Sequence, residues 1–353
     1  MTKNKFLQEI NEQPEALRKT CRYYHKDEGK TTLQAIANLW QTGAYDKILF
    51  TGMGSSFFLS SAGAGMLAAH GIPAFALNAG ELLHTQSAIL NERTLLIAIS
   101  QSGESYEVVQ LLQHISTGYT VCCISNEADS TLANASTEVL LTLAGKEEMT
   151  SSKTFVTTYL VLTLLTETLT GSDTTDTIET IETIAEQMNK LLLRKDNWLD
   201  EALDLLGDTP FVQMIGRGAT FATINQCALM CMEAARTPAS ALLGGEFRHG
   251  PLEMVKDGFV AILLSHSGSE AYEQALTLLG DIRKFHGQVI FITDQPLSAE
   301  SKHTGEIVLP CSRPDLFAIS SILPIQLLIN RWAIRKGLTP GIFIHGSKVT
   351  LTE

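Results

Sequence analysis

Five short stretches of this 353-residue chain carry side chains suited to chemistry. The first is Ser100-Gln101-Ser102-Gly103-Glu104-Ser105, between the apolar run TLLIAI and the helical pattern YEVVQLLQHI. A helix N-terminus presents unpaired N–H groups and partial positive charge, so hydroxyls and an amide gathered there suit a phosphate. Ser102 acting only as a helix cap is the plainer alternative; three serines and Gln101 together favour the anion site. Ser55 and Ser56, after Gly52-x-Gly54, stand at a second strand-to-helix turn and supply donors of the same kind. The third stretch is Met149-Thr150-Ser151-Ser152-Lys153, before the apolar helical run TFVTTYLVLTLL. A lysine in a first helical turn opposes the macrodipole, which leaves three readings: a bound anion, a carboxylate partner, or a side chain reaching into water.

Glu233 is the only charged residue between Gly218 and Ala235. A carboxylate in so apolar a helix, near its C-terminus, is costly when ionised. Such an environment raises its pKa toward that of a general base useful near neutral pH. The competing reading is an ion pair with Arg217 or Arg236. In Gly244-Gly245-Glu246-Phe247-Arg248-His249-Gly250-Pro251, glycines on both sides allow close backbone approach to a ligand. His249 there can shuttle a proton near neutral pH.

These residues sit in a chain that repeats itself. Gly52-x-Gly54 recurs as Gly216-x-Gly218, Gly80-Glu81-x-x-His84 as Gly245-Glu246-x-x-His249, and Ser100-x-Ser102-Gly103 as Ser265-x-Ser267-Gly268, at offsets of 164, 165 and 165. A constant offset in constant order means two tandem copies of one domain. His84 has no glycine or proline after it and reads as structural. The loop Ser265-His266-Ser267-Gly268-Ser269 has fewer hydroxyls than its counterpart and reads as the weaker anion site.

Apolar runs without strict alternation predict parallel strands covered on both faces: KILFTG, AFALNAG, TLLIAIS, YTVCCIS and EVLLTLA in the first copy, then FVQMIGRG, ASALLGG, FVAILLS, QVIFITD and EIVLP. Helical patterns lie between them. The expected fold is α/β, two tandem doubly wound parallel-sheet domains with helices on both faces. The expected boundaries are 1–172 for the first domain with its leading helices, 173–207 for a helical connector, and 208–353 for the second domain with a coiled tail. Ile178, Ile181, Ile184, Met188, Leu191 and Leu192 give the connector its helical period.

A net charge of −12 argues against nucleic acid or an anionic membrane as partner. It leaves room for an anionic small molecule held by backbone amides. The six cysteines show no C-x-x-C pair and no ligand spacing, so buried free thiols are expected, with no metal and no cofactor. The N-terminus has no apolar leader and no uninterrupted apolar run reaches spanning length, so a cytoplasmic protein is expected.

GMGSS, SQSGES and EFRHGPLEMV together resemble the sugar isomerase (SIS) domain family in tandem arrangement, most closely the isomerase half of glucosamine-6-phosphate synthase. The resemblance runs from EINEQPEALR to SKVTLTE. It implies that Ser100 to Ser105 with Ser56 hold a sugar phosphate and that Glu233 moves a proton between C1 and C2. It also implies that His249 opens the sugar ring from a neighbouring subunit of a homodimer or larger assembly, and that Lys348 closes over the sugar. The family's lysine three residues before the base is Met230 here, and PGIFIHGSKV departs from the usual residues before the tail lysine. Residue 2 is Thr, and the resemblance begins directly in the isomerase half, so amination from glutamine is not expected. The expected activity is release of an amine from an amine-bearing 6-phosphosugar, of the fructoselysine or glucoselysine 6-phosphate type. Glucosamine-6-phosphate deamination and aldose–ketose isomerisation are the enzymatic alternatives, and a non-catalytic sugar-phosphate sensor is the alternative of another class.

Overall fold

The computed structural model describes residues 4–115, 118–194, 197–298, 305–350 and 352. Chain contacts divide the molecule into two units. The first comprises residues 12–147, 151–182 and 343–353, and the second comprises 1–11, 148–150 and 183–342. Each unit thus takes in a short piece of chain remote in sequence from its main body. Lys195 and Asp196, within the expected connector, lie outside the described residues. Helices Thr175–Leu192 and Trp198–Leu206 form on either side of them.

The first unit is built on a parallel sheet of β1 (Lys47–Gly52), β2 (Ala74–Asn78), β3 (Thr94–Ile99), β4 (Thr120–Ser125) and β5 (Glu138–Leu141). The strand order is β2-β1-β3-β4-β5. Leu49 on β1 pairs with Phe75 on one side and Leu96 on the other. All six residues of β3 are buried, which explains why the run TLLIAI shows no alternation: both faces are covered by helices. One face packs Leu49, Leu96 and Ala98 against Val108 and Leu111 of the helix Tyr106–His114. Each such aliphatic side chain contributes about 1.5–3 kcal/mol on burial.

The second unit repeats the plan with β6 (Val212–Gly216), β7 (Ala239–Leu243), β8 (Val260–Leu264), β9 (Gln288–Thr293) and β10 (Glu306–Val308), in the order β10-β9-β8-β6-β7. Read from the second strand of each copy, the two orders are the same. Met214 pairs with Ala241 and with Ile262. Ile215, Ala261, Leu263 and Phe291 pack on Leu278 and Ile282 of the helix Tyr272–Lys284. The helix Phe317–Arg335 is long and apolar enough to cross a membrane by length and composition, and 89% of its apolar window is buried in the protein. The tail from Leu338 has no helix among its described residues.

Five of the six cysteines are buried and Cys311 is half-buried, all with free thiols. Burial pushes the thiols of Cys21, Cys122 and Cys231 up to about 12 and that of Cys123 up to about 11.

Candidate functional site

In the first unit the reactive loops hang from adjacent strand ends. A side-chain carbon at Gly52, the last residue of β1, would come 2.8 Å from the carbonyl oxygen of Ile99 at the end of β3. Glycine there lets the two strand ends close on one another. In this strand order the chain switches sides between β1 and β3, and a ligand crevice forms beyond the carboxyl ends at that point. Ser55 and Ser56 open the helix Ser55–Ala69 on one side of it. Both are half-buried, and neither hydroxyl has a hydrogen-bond partner among the described residues.

On the other side, Ser100 Oγ lies 3.2 Å from Ser105 Oγ and accepts from the Gly103 amide at 3.1 Å. Ser102 Oγ accepts from the Glu104 amide at 3.2 Å. Gly103 has φ +67° and lies so close to Ser130 that any side chain would collide with the Ser130 hydroxyl. Ser105 stands at the N-cap of Tyr106–His114 without its side chain bonding the helix amides, and the first of those amides, Tyr106, donates to the Thr350 carbonyl of the tail at 3.0 Å. The Gln101 side chain, half-buried, is likewise unbonded among the described residues. Ser100, Ser102 and Ser105 thus form one cluster of hydroxyls facing a helix N-terminus, an arrangement suited to an anion.

Glu147, which the sequence does not single out, organises the start of the helix Lys153–Thr170. Its side chain is fully buried. Oε1 accepts from the amides of Ser152 and Thr154 at 2.9 and 3.1 Å, and Thr154 Oγ1 donates to Oε2 at 2.6 Å. Lys348, from the C-terminal tail, donates to Oε2 at 2.7 Å. Burial by itself would raise this carboxyl's pKa, but the Lys348 charge and the hydroxyl and amide donors outweigh it and hold Glu147 below the usual carboxylate range. The signal available in the sequence was a helix whose first turn holds a lysine and no acid, with a glutamate just upstream. Lys153 itself is buried and pairs with Glu12 at 2.5 Å, so the carboxylate partner is the reading that holds. Ser151 Oγ lies 2.9 Å from Thr154 Oγ1.

In the second unit Glu233 is the penultimate residue of the helix Thr220–Ala234. It is half-buried, less enclosed than the apolar run suggested, because the helix also exposes Met232. Its Oε2 accepts from the hydroxyl of Thr150, which is 1% exposed. Arg217 and Arg236 form no ion pair among the described residues, so neither is its partner. Met230, one turn earlier, is fully buried. His249 follows the short helix Gly244–Arg248 and is exposed, its ring unbonded among the described residues. Gly250, φ +136°, turns the chain directly after it into Pro251, a backbone conformation open to glycine.

In the second serine loop the two middle side chains, His266 and Ser267, are held by partners. Ser267 donates its amide and hydroxyl to Asp294 at 2.5 and 2.6 Å. His266 Nδ1 accepts from the Gly268 amide at 2.9 Å while Nε2 donates to the Cys311 carbonyl at 3.0 Å, which fixes its tautomer. Among the described residues no group of His, Cys, Asp and Glu could hold a metal ion.

The model of the SIS domain matches residues 44–168 and again 208–334. The chain is 32% identical over 340 residues to a glutamine–fructose-6-phosphate aminotransferase (isomerizing) of Pyrococcus horikoshii, covering 95% of this chain and 55% of that protein. It therefore spans about half the length of the curated relatives it matches. Among solved structures, the C-terminal domain of glucosamine-fructose-6-phosphate aminotransferase from Francisella tularensis superposes with a TM-score of 0.83 at 26% identity, over 95% of this chain and 97% of that one. A glucosamine-6-phosphate deaminase from Thermotoga maritima shares the fold with a TM-score of 0.76 at 23% identity, over 98% and 99% of the two chains.

Proposed function

The chain belongs to the SIS domain family, and from that premise we propose that it is an enzyme releasing an amine from an amine-bearing 6-phosphosugar. The hydroxyl cluster of Ser100, Ser102 and Ser105, with Gln101, Ser55 and Ser56, takes the phosphate. His249 assists ring opening. Glu233 removes the proton at C1 of the open-chain ketosamine and returns it at C2, which converts the ketosamine into an aldimine. Water adds to that C=N bond and the amine leaves, giving an aldose 6-phosphate. Lys348, Thr150 and Ser151 complete the reading, Lys348 closing over the sugar and Thr150 orienting the Glu233 carboxylate.

The observation that carries this reading is the state of Glu233. It is a carboxylate at the end of an otherwise uncharged helix. The buried Thr150 hydroxyl donates to it, which fixes the direction in which the carboxylate points. A sensor that only binds sugar phosphate has no use for it. Met230, one turn before the base, is buried and stands where the resemblance places a lysine, so that cation does not oppose a substrate bringing its own ammonium group, which favours an amino-acid conjugate over a plain sugar phosphate. Glucosamine 6-phosphate is the second substrate, and the named relatives above support keeping it in view. Incubation with fructoselysine 6-phosphate, glucoselysine 6-phosphate, glucosamine 6-phosphate and fructose 6-phosphate tests the reading, with released amine and sugar phosphate both quantified. Amine release from a conjugate supports it. Ammonia from glucosamine 6-phosphate alone makes the protein a deaminase, and isomerised fructose 6-phosphate alone makes it an isomerase. Binding of all four with no turnover would replace the enzyme by a sensor.

The reading includes a homodimer in which the histidine of one subunit serves its neighbour's site. The exposed, unbonded ring of His249 is in keeping with that. Mixing Glu233→Gln subunits with His249→Ala subunits then restores part of the activity, because one hybrid site regains both groups. No recovery in verified mixed dimers counts against a shared site.

A further inference from the structure

The second sheet has its own switch point, between β6 and β8, and an open cleft of about 480 Å³ lies there. That volume is within the range of small-molecule sites, about 300–1,000 Å³. Arg217 follows β6, Leu243 ends β7 with Gly245 and Glu246 after it, and Ser269 and Glu270 follow β8; all six line the cleft. The cleft therefore occupies, in the second copy, the place where a doubly wound sheet receives its ligand.

Its chemistry differs from that of the hydroxyl loop. The donors of Ser267 are already spent on Asp294, and two carboxylates face the cleft, so a phosphate is not the ligand. One cation and two carboxylates share the cleft, yet the Arg217 guanidinium and the Glu246 and Glu270 carboxylates form no ion pair or side-chain hydrogen bond among the described residues. The backbone makes room for the guanidinium. A side-chain carbon at Gly245 would come 2.8 Å from Arg217 Nη2, and one at Gly244 3.2 Å from Nε. Leu243, although a large aliphatic residue, is 36% exposed at the same place.

We propose that this cleft binds an α-amino acid. The ligand's carboxylate pairs with Arg217, whose planar fork matches a carboxylate. Its ammonium lies between Glu246 and Glu270, and an apolar side chain covers Leu243. The proposal is independent of the reaction assigned to Glu233.

Titration calorimetry with L-norleucine, pentylamine and hexanoate tests it. These are one amino acid and its counterparts lacking the carboxylate or the ammonium. L-norleucine binds the wild-type protein, and pentylamine and hexanoate each bind roughly ten-fold or more weakly, as expected for one lost charge-assisted contact. Arg217→Ala lowers norleucine affinity by a similar factor and Arg217→Lys by less. An unchanged melting temperature establishes that both variants are folded. The Ser102→Ala, Ser105→Ala protein keeps norleucine affinity, which separates this site from the phosphate loop. The proposal is overturned by no norleucine binding up to about 10 mM, by hexanoate binding as well as norleucine, by indifference to Arg217→Ala, or by inorganic phosphate binding that depends on Arg217.

Discussion

The two copies present the same backbone to solvent and fill it differently. The residue directly after the fourth strand of each sheet decides much of this. In the first copy it is Asn126, whose side-chain oxygen accepts from Thr142 Oγ1 and the Ala144 amide and whose nitrogen donates to the Gly145 carbonyl. It carries no charge, and the serine loop beside it keeps unpaired donors. In the second copy it is Asp294, which takes the amide and the hydroxyl of Ser267. A built-in carboxylate thus occupies what would be an anion site. The helices after the first strands show the reverse. Ser55–Ala69 and Thr220–Ala234 are both 15 residues long, and where the first has Ala68 the second has Glu233. In the function proposed above, the duplicated scaffold divides the work: one copy offers hydroxyls to an anion, the other a carboxylate that exchanges protons.

This comparison can be broken by experiment. The largest effect is expected at Glu233. Glu233→Gln is nearly isosteric and should leave melting temperature and phosphosugar binding close to wild type, while single-turnover rates fall by roughly 10²–10⁴. Near-normal turnover with a large loss of stability would make Glu233 a structural group and erase the division of labour. Next is the first serine loop. Ser102→Ala should weaken binding of a 6-phosphosugar by about 1.5–3 kcal/mol in calorimetry, the value of a hydrogen bond to a charged group.

A smaller effect concerns Glu147. Its pKa is held below the ordinary carboxylate value in the folded protein, so its contribution to stability is complete above the unfolded-state pKa. It is lost as pH falls through the lowered, folded-state value. Glu147→Gln should cost about 1–3 kcal/mol at neutral pH and flatten the acid limb of a stability-against-pH curve; an unaltered acid limb would place that dependence elsewhere. The smallest effect sharpens the contrast directly. Ser267→Ala should leave phosphosugar affinity unchanged, because Asp294 already holds that hydroxyl. A loss comparable to that of Ser102→Ala would show that the second loop also binds phosphate.

All ten strands are legible in the sequence: inner strands such as Thr94–Ile99 and Val260–Leu264 are buried throughout and write themselves as apolar runs, and the edge strands Ala74–Asn78 and Ala239–Leu243, only partly buried, are still apolar runs with polar or glycine ends. The serine loop at a strand-to-helix turn was legible for the same reason: the element that positions it is local. What the chain did not reveal are pairings made across long separations. Glu147 sits in Lys146-Glu147-Glu148, which reads as a solvated charge run, and only the return of the tail brings Lys348 to it, 201 residues away in sequence. The apolar run around Glu233 predicts a deeply buried carboxylate, with a general base as the reading and an arginine ion pair as its competitor; the residue is half-buried. One of its partners is Thr150, 83 residues distant, a type too common to stand out. The assignment of residues 343–353 to the first unit and 1–11 to the second has the same origin, since periodicity within a segment says nothing of where its ends return.

The buried cysteines give each copy a clock of its own. Only a thiolate attacks a disulfide reagent, and Cys122 and Cys123 on β4, like Cys231 beside Glu233 on its helix, are enclosed and have raised pKa values. Their modification must wait for local opening. Labelling at increasing pH, with the modified thiols identified by mass spectrometry, would then time the breathing of the first sheet and of the helix that carries Glu233 separately. A ligand that seats in one copy should slow the thiols of that copy first.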